Sequence, residues 1–324
     1  MASPFRYAHA IAQALNDAMA EDPSVIVMGE DVAAAEGAFK ATRGLLSAYG
    51  PERVIDTPIS EASLVGCAVG AAMSGLRPVA EIMFMDFVTV AMDALVNQAA
   101  KARFMFGGQG SVPLVLRTPH GAGLNGGPQH SQCLEAWFAH VPGLRVVVPA
   151  TVADAYTLLR AAIATPDPVI VVENKALYAM RGELEPGRPT EVGRAHRDRP
   201  GRDVTIVTYG ATLYAARAAA EQLAADNIEA EILDLRWIQP WDQAAVLESV
   251  TRTGRVVIAH EAVEAFGVGA EIAARIAEDA FDALKAPIVR VGAPFMPTPY
   301  AKSLEAAFMV DSGRIAAAVR RTLR

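Results

Sequence analysis

Apolar positions recur along the chain in two alternating rhythms. Residues 5–20 place Ile11, Leu15 and Met19 at helical spacing, and the run Val25–Met28 closes at Gly29 as a short buried strand would. The alternation continues. Strands are predicted over 54–55, 78–82, 112–117, 144–148 and 168–172, with helices over 41–48, 62–74, 87–105, 133–139 and 152–163 between them. Continuous Val/Ile runs separated by helices predict a parallel sheet covered on both faces.

The stretch 181–203, RGELEPGRPTEVGRAHRDRPGRD, breaks this rhythm with Pro, Gly and charge, the composition of a domain linker. Beyond it, strands over 204–209, 228–233, 256–260 and 287–291 alternate with helices over 211–225, 241–250, 268–280 and 313–323. The expected organisation is an α/β parallel-sheet domain over 1–185, a linker over 186–202 and a second α/β domain over 203–324.

Composition narrows the function classes. With 52% hydrophobic and 20% charged residues, the chain can bury a core and is not a disordered segment. A net charge of −7 gives no electrostatic footprint for nucleic acid. No apolar run reaches the ~18–20 residues that span a bilayer. The start reads as an amphipathic helix rather than a secretory signal, which predicts a cytoplasmic protein. Two cysteines, Cys67 and Cys133, are too few for a zinc framework and are expected as buried free thiols.

Three stretches could carry chemistry. In 56–87, Glu61 follows Pro58 at a strand-to-helix turn and opens a helix rich in Ala, Gly and Ser. Glycine lowers helix propensity, and small side chains suit close approach of another backbone. A carboxylate at such a helix start would be partly desolvated, a setting that favours its protonated form; the plainer reading is a helix-start acid favoured by the macrodipole. In 117–133 a glycine-rich loop is flanked by His120 and His130, and an imidazole there could titrate near neutrality or simply face solvent. In 264–272 the pattern around Gly267 and Gly269 superficially resembles a dinucleotide fingerprint, but the final glycine is missing, and a glycine turn feeding a helix is the preferred reading. P-loop, nucleophile-elbow and zincin motifs are absent, as is any G-D-G followed at a distance by Asn, the pattern that holds a diphosphate through magnesium.

The runs GEDV (29–32), DTPISE (56–61), GLRPVAEIMFMDF (75–87), NQAAK (97–101), QHSQ (129–132) and PGLRVVVP (142–149) occur together and in order. They resemble the beta subunit of the thiamine-diphosphate-dependent 2-oxo acid dehydrogenases, the decarboxylating component of pyruvate, branched-chain and acetoin dehydrogenase complexes. The resemblance implies a pyrimidine-binding domain followed by a transketolase C-terminal-like domain. It implies an oxidoreductase active only with an alpha subunit that carries the magnesium and the diphosphate site, in an assembly of two alpha and two beta chains. The cofactor-activating glutamate falls on Glu61, the aminopyrimidine wall on Met83 and Phe87, and the active-site histidine on His130. The implied substrate is a small 2-oxo acid or acetoin, with acyl transfer to the lipoyl group of an acyltransferase partner. A potassium site built largely from backbone carbonyls would fall on Leu114, Ala162, Ile163, Thr165 and Asp167, where this chain carries Pro166 and Pro168. Competing readings are a transketolase-like thiamine-diphosphate enzyme subunit and a non-catalytic interaction subunit.

Overall fold

The computed structural model describes residues 4–184 and 190–324; residues 185–189, which include the first part of the expected linker, lie outside the described residues. The chain divides into two units, Met1–His120 with Trp137–Val192, and Gly121–Ala136 with Gly193–Arg324.

In the first unit, six strands run parallel: β1 (Val25–Gly29), β2 (Val54–Asp56), β3 (Arg77–Glu81), β4 (Val115–His120), β5 (Arg145–Val147) and β6 (Val169–Asn174). Their spatial order is β5–β6–β4–β3–β1–β2. β1, β4 and β6 are buried along their whole length, which is why they open on apolar pairs or runs, Val25–Met28, Val115–Leu116 and Val169–Val172, rather than alternating. Helices α1 (Tyr7–Glu21) and α3 (Val152–Ala164) lie against each other, joined by the Tyr156 hydroxyl, which donates to Asp17 at 2.8 Å.

Helix α2 (Glu61–Met73) buries Leu64, Val65, Ala68, Val69 and Ala72 and exposes Ala62, Ser63, Gly66, Cys67 and Gly70. Positions three and four apart share a face, so Cys67 falls on the outer stripe and is exposed, and Cys133 is half-buried. Both thiols are free, but neither is buried as expected. The helix expected over 87–105 is broken into an α-turn (Met85–Val88), a 3-10 turn (Thr89–Ala91), a π-helical stretch (Ala94–Ala99) and an α-helical end (Ala100–Met105). The β-branched run Val88–Val90 crowds the preceding turn and disfavours regular helix there.

In the second unit, β7 (His196–Arg199), β8 (Val204–Thr208), β9 (Ala230–Asp234), β10 (Val256–Val263) and β11 (Val289–Ala293) form a sheet of order β11–β10–β8–β9–β7. All pairings are parallel except that of β7 with β9. Helices α4 (Thr212–Ala224), α5 (Gln243–Thr253), α6 (Val268–Asp279) and α7 (Ser312–Thr322) alternate with these strands. Asp242 and Asp311 cap α5 and α7 by accepting from Ala245 N at 3.1 Å and Arg314 N at 2.8 Å. Among the described residues, no helix is long and apolar enough to cross a membrane.

An ion group is buried across the middle of the first sheet. Glu81 of β3 stands opposite Arg117 of β4, and Glu173 of β6 lies beside them. Arg117 is 1% exposed; its Nε and Nη2 each donate to Glu173 at 2.8 Å, and Nη1 donates to Glu81 at 2.5 Å. The Tyr178 hydroxyl donates to Glu173 at 2.7 Å. Burial pushes the Glu81 carboxyl up, against the opposing pull of Arg117. Removing one partner from such a group strands the others without water. Arg117→Ala should therefore cost about 3–5 kcal/mol of stability, read by urea unfolding; a loss below about 1 kcal/mol would show that the group is not structurally required.

Candidate active site

Gly29 of β1 pairs with Asp56 of β2 on one side and with Glu81 of β3 on the other, so the chain leaves three adjacent parallel strands at one edge of the sheet. Ligands of open α/β sheets bind outside that carboxyl edge. Glu30 follows β1, Glu61 opens the helix after β2, and Met83 and Phe87 follow β3. The Asp56 carboxylate accepts from Ala33 N at 2.7 Å and Ala34 N at 3.1 Å, which fixes the loop after β1.

Glu61 is 9% exposed as the first residue of α2, and Glu30 is 6% exposed. Burial, then the charges of Glu61 and of Asp31, push the Glu30 carboxyl up. Glu30 Oε1 and Thr57 Oγ1 are both buried without a hydrogen-bond partner. Two neighbouring acids and two unsatisfied polar atoms therefore gather at one edge. Glu30 was not singled out in the sequence, although a charged residue directly after a buried strand, in GEDV, was the available signal.

Met83 and Phe87 are half-buried. Phe87 meets Phe84 edge-on at 5.6 Å between ring centres, Phe84 meets Phe39 edge-on at 6.1 Å, and Phe39 stacks on Tyr178 at 4.6 Å. Lys175 Nζ lies 5.2 Å over the Phe84 ring. This aromatic column connects Phe87 to the buried Arg117 group through Tyr178.

His130 belongs to the second unit and is half-buried. Its loop is tied down by two carboxylates: Ala122 N donates to Glu261 at 2.7 Å, and Asn125 donates to Glu305 through its backbone at 3.1 Å and through Nδ2 at 2.9 Å. In the same unit, Ser131, Leu134, Val263, Phe295, Met296 and Phe308 help to line an apolar cavity of about 330 Å³. His120 ends β4 in the first unit. Burial, assisted by the charge of Lys175, pushes it down to about 3, so it is neutral near pH 7 and is neither a titrating nor a solvent-facing imidazole.

The glycine pattern at 267–269 has a steric cause. A Cβ on Gly267 would lie 2.7 Å from His260 Cε1, and one on Gly269 would lie 2.8 Å from His260 Nε2. The imidazole fills the space above the start of α6, and a glycine turn feeding a helix is what the structure contains. His260 is fully buried, its Nε2 has no partner, and burial pushes it down to about 4. It stacks on Tyr209, whose hydroxyl donates to the fully buried Glu135 at 2.8 Å. Burial pushes the Glu135 carboxyl up.

Three of the five residues considered for potassium already face arginines. Ile163 and Thr165 offer their carbonyls to the Arg77 guanidinium at 2.8 and 3.4 Å, and Asp167 is held by Arg103 and Arg145.

Comparison with known proteins agrees with this layout. Residues 3–181 match the transketolase pyrimidine-binding domain and residues 193–315 the transketolase C-terminal domain. A split-gene transketolase, described as an inactive beta4 tetramer, superposes with a TM-score of 0.83 at 25% identity, covering 98% of this chain and 97% of that one. The pyruvate dehydrogenase E1 component subunit beta-2 of Oryza sativa is 46% identical over 301 residues, 91% of this chain and 80% of the relative. The acetoin:2,6-dichlorophenolindophenol oxidoreductase subunit beta of Cupriavidus necator is 45% identical over 97% of this chain and 96% of its own length. The 2-oxoisovalerate dehydrogenase subunit beta of Bacillus subtilis is 41% identical over 98% of both.

Fold and strand-edge site thus define a transketolase-type, thiamine-diphosphate-dependent architecture. Within it, the chain belongs to the family of beta subunits of the 2-oxo acid and acetoin dehydrogenases. The unsatisfied atoms of Glu30 and Thr57 beside Glu61, with Met83 and Phe87 leaving the neighbouring strand, fit the polar edge and apolar faces of an aminopyrimidine ring.

The buried histidines make stability pH-dependent with a definite sign. Unfolded His260 titrates near 6.5 and the folded residue near 4, so its contribution is complete above pH 6.5 and is lost as the pH falls toward 4. Urea midpoints between pH 7 and pH 5 should fall less steeply for His260→Gln than for the unsubstituted protein. Parallel pH profiles would count against a buried neutral imidazole.

Proposed function

We propose that the chain is the beta half of a thiamine-diphosphate-dependent dehydrogenase component. The assembled enzyme oxidatively decarboxylates pyruvate or a related 2-oxo acid, or cleaves acetoin. It passes the acyl group to the lipoyl group of an acyltransferase partner in the cytoplasm. The observation that carries this reading is the pair of buried acids, Glu61 and Glu30, at the carboxyl edge of a parallel sheet.

Glu61, Met83 and Phe87 would hold the aminopyrimidine half of the cofactor. When bound, thiamine diphosphate supplies the electron sink for decarboxylation. Glu61, buried at the helix start, would hydrogen-bond the pyrimidine ring nitrogen and hold a proton there. Burial and the nearby Glu61 charge push the Glu30 carboxyl up, which eases the repulsion between the two acids. Magnesium and the diphosphate fall to an alpha subunit, in keeping with the missing G-D-G motif. The assembly has two alpha and two beta chains, and the exposed face of α2 with Gly66 and Gly70 open to solvent would admit a partner backbone close to Glu61. His130, on its tethered loop, serves acyl transfer either as proton donor to the dithiolane sulfur or by orienting the acyl group.

Co-expression with an alpha partner and a panel of 2-oxo acids and acetoin, assayed with a dye acceptor, tests the whole reading; the chain alone with thiamine diphosphate and magnesium should be inactive. Glu61→Gln should still assemble but lose roughly 10²–10⁴-fold in turnover, and near-normal turnover would remove Glu61 from its role. His130→Ala should spare dye-linked decarboxylation more than lipoyl acylation. Equal loss in both assays would deny it a transfer-specific part.

A further inference from the structure

The turn that follows α3 carries backbone carbonyls that the helix itself cannot satisfy. The last carbonyls of any helix need outside donors, and a positive charge is favoured at that end. Here the following residues cannot help much, because Pro166 and Pro168 have no N–H to offer. A bound monovalent cation is one way to meet that need. We infer that this chain meets it with the guanidinium of Arg77, so that the turn is a permanently occupied cation position that takes no potassium. The inference does not depend on the proposed activity.

Arg77 begins β3, and its backbone N donates to Ser24 O at 2.8 Å. Its Nη1 reaches Ile163 O at 2.8 Å and Thr165 O at 3.4 Å. On the other side, its Nε lies 3.5 Å from Asp22 Oδ2. Ser24 donates to the Asp22 carboxylate through its backbone at 2.8 Å and its hydroxyl at 2.6 Å; these bonds hold that carboxyl below its usual range and keep it a counter-charge for Arg77. The other members of the carbonyl set are also engaged. Ala162 O accepts from Thr165 N at 3.1 Å, and Leu114 O accepts from Val169 N at 2.9 Å. The Asp167 carboxylate is shared by Arg103 Nε at 2.5 Å and Arg145 Nη2 at 2.8 Å.

A carbonyl oxygen has a second lone pair, so occupied carbonyls alone would not exclude an ion. The charge balance decides. Three guanidiniums already converge on residues 163–167, against the carboxylates of Asp167 and Asp22. Those groups sum to one positive charge before any ion arrives, and a further cation would meet repulsion at short range. It would also have to displace Arg77 Nη1 from Ile163 O, and a guanidinium cannot relieve the conflict by losing its proton. The proline-bearing turn and the arginine are thus complementary: the turn lacks local donors, and Arg77 delivers them from the neighbouring strand.

Thermal melting of the full chain in potassium, sodium and choline chloride at equal ionic strength tests this directly. The expected melting temperature is the same in all three to within about 0.5 °C, and Arg77→Ala should melt lower by roughly 1.5–3 °C in each, a loss of one or two kcal/mol on a chain of this size. Arg77→Lys, which keeps the charge but not the fork, should recover part of the difference. A saturable rise in melting temperature specific to potassium in the unsubstituted chain would overturn the inference. So would an Arg77→Ala variant that melts with the unsubstituted chain. If Arg77→Ala does not fold, the salt series and Arg77→Lys still decide the matter.

Discussion

One guanidinium cut off from water, Arg117, binds three adjacent strands of the first sheet by their side chains as well as their backbones. Two carboxylates face it, so the group is short of positive charge, and burial drives Glu81 toward its neutral form. Through Tyr178 the same group reaches the stacked rings of Phe39, Phe84 and Phe87. The wall proposed for the pyrimidine is therefore linked to a buried electrostatic anchor as well as held by apolar contact.

Carboxylates outside the Arg117 group do several kinds of work. Asp56, Glu261 and Glu305 accept backbone N–H groups from loops and hold them in place, a charge-assisted bond stronger than a neutral one. Asp167 and Asp22 balance the arginines around the turn after α3. Glu30 and Glu61 stand apart: they face each other's charge, and Glu30 is left with an unsatisfied oxygen. Such an arrangement breaks the rule that buried polar groups are paired, a break expected at functional or strained sites.

The strands of both sheets were legible because parallel strands buried on two sides leave unbroken Val/Ile runs. The exceptions have physical causes. β7, with the sequence HRDR, is an antiparallel edge strand whose charged side chains pair with other residues of its unit, so it reads as linker. The helix Lys302–Phe308 follows a proline-rich stretch that masks its short apolar pattern. Glu61, Met83, Phe87 and His130 are put forward from ordered motifs that resemble a known family. Glu30 and Glu135 are not, because a buried acid looks like a surface acid until its neighbours are known. His120 was misjudged for the same reason: its burial comes from strands distant in sequence.

The clearance that Gly267 and Gly269 leave for the His260 ring has an evolutionary corollary. A larger residue at either position becomes tolerable only once the imidazole has shrunk or moved, and a smaller residue at 260 would leave a hole that the glycines cannot fill. The three sites should drift as a linked set, in which no single step is neutral. A glycine signature can thus persist through descent as the imprint of an aromatic neighbour, and scanning for nucleotide fingerprints would mistake that imprint for a ligand's.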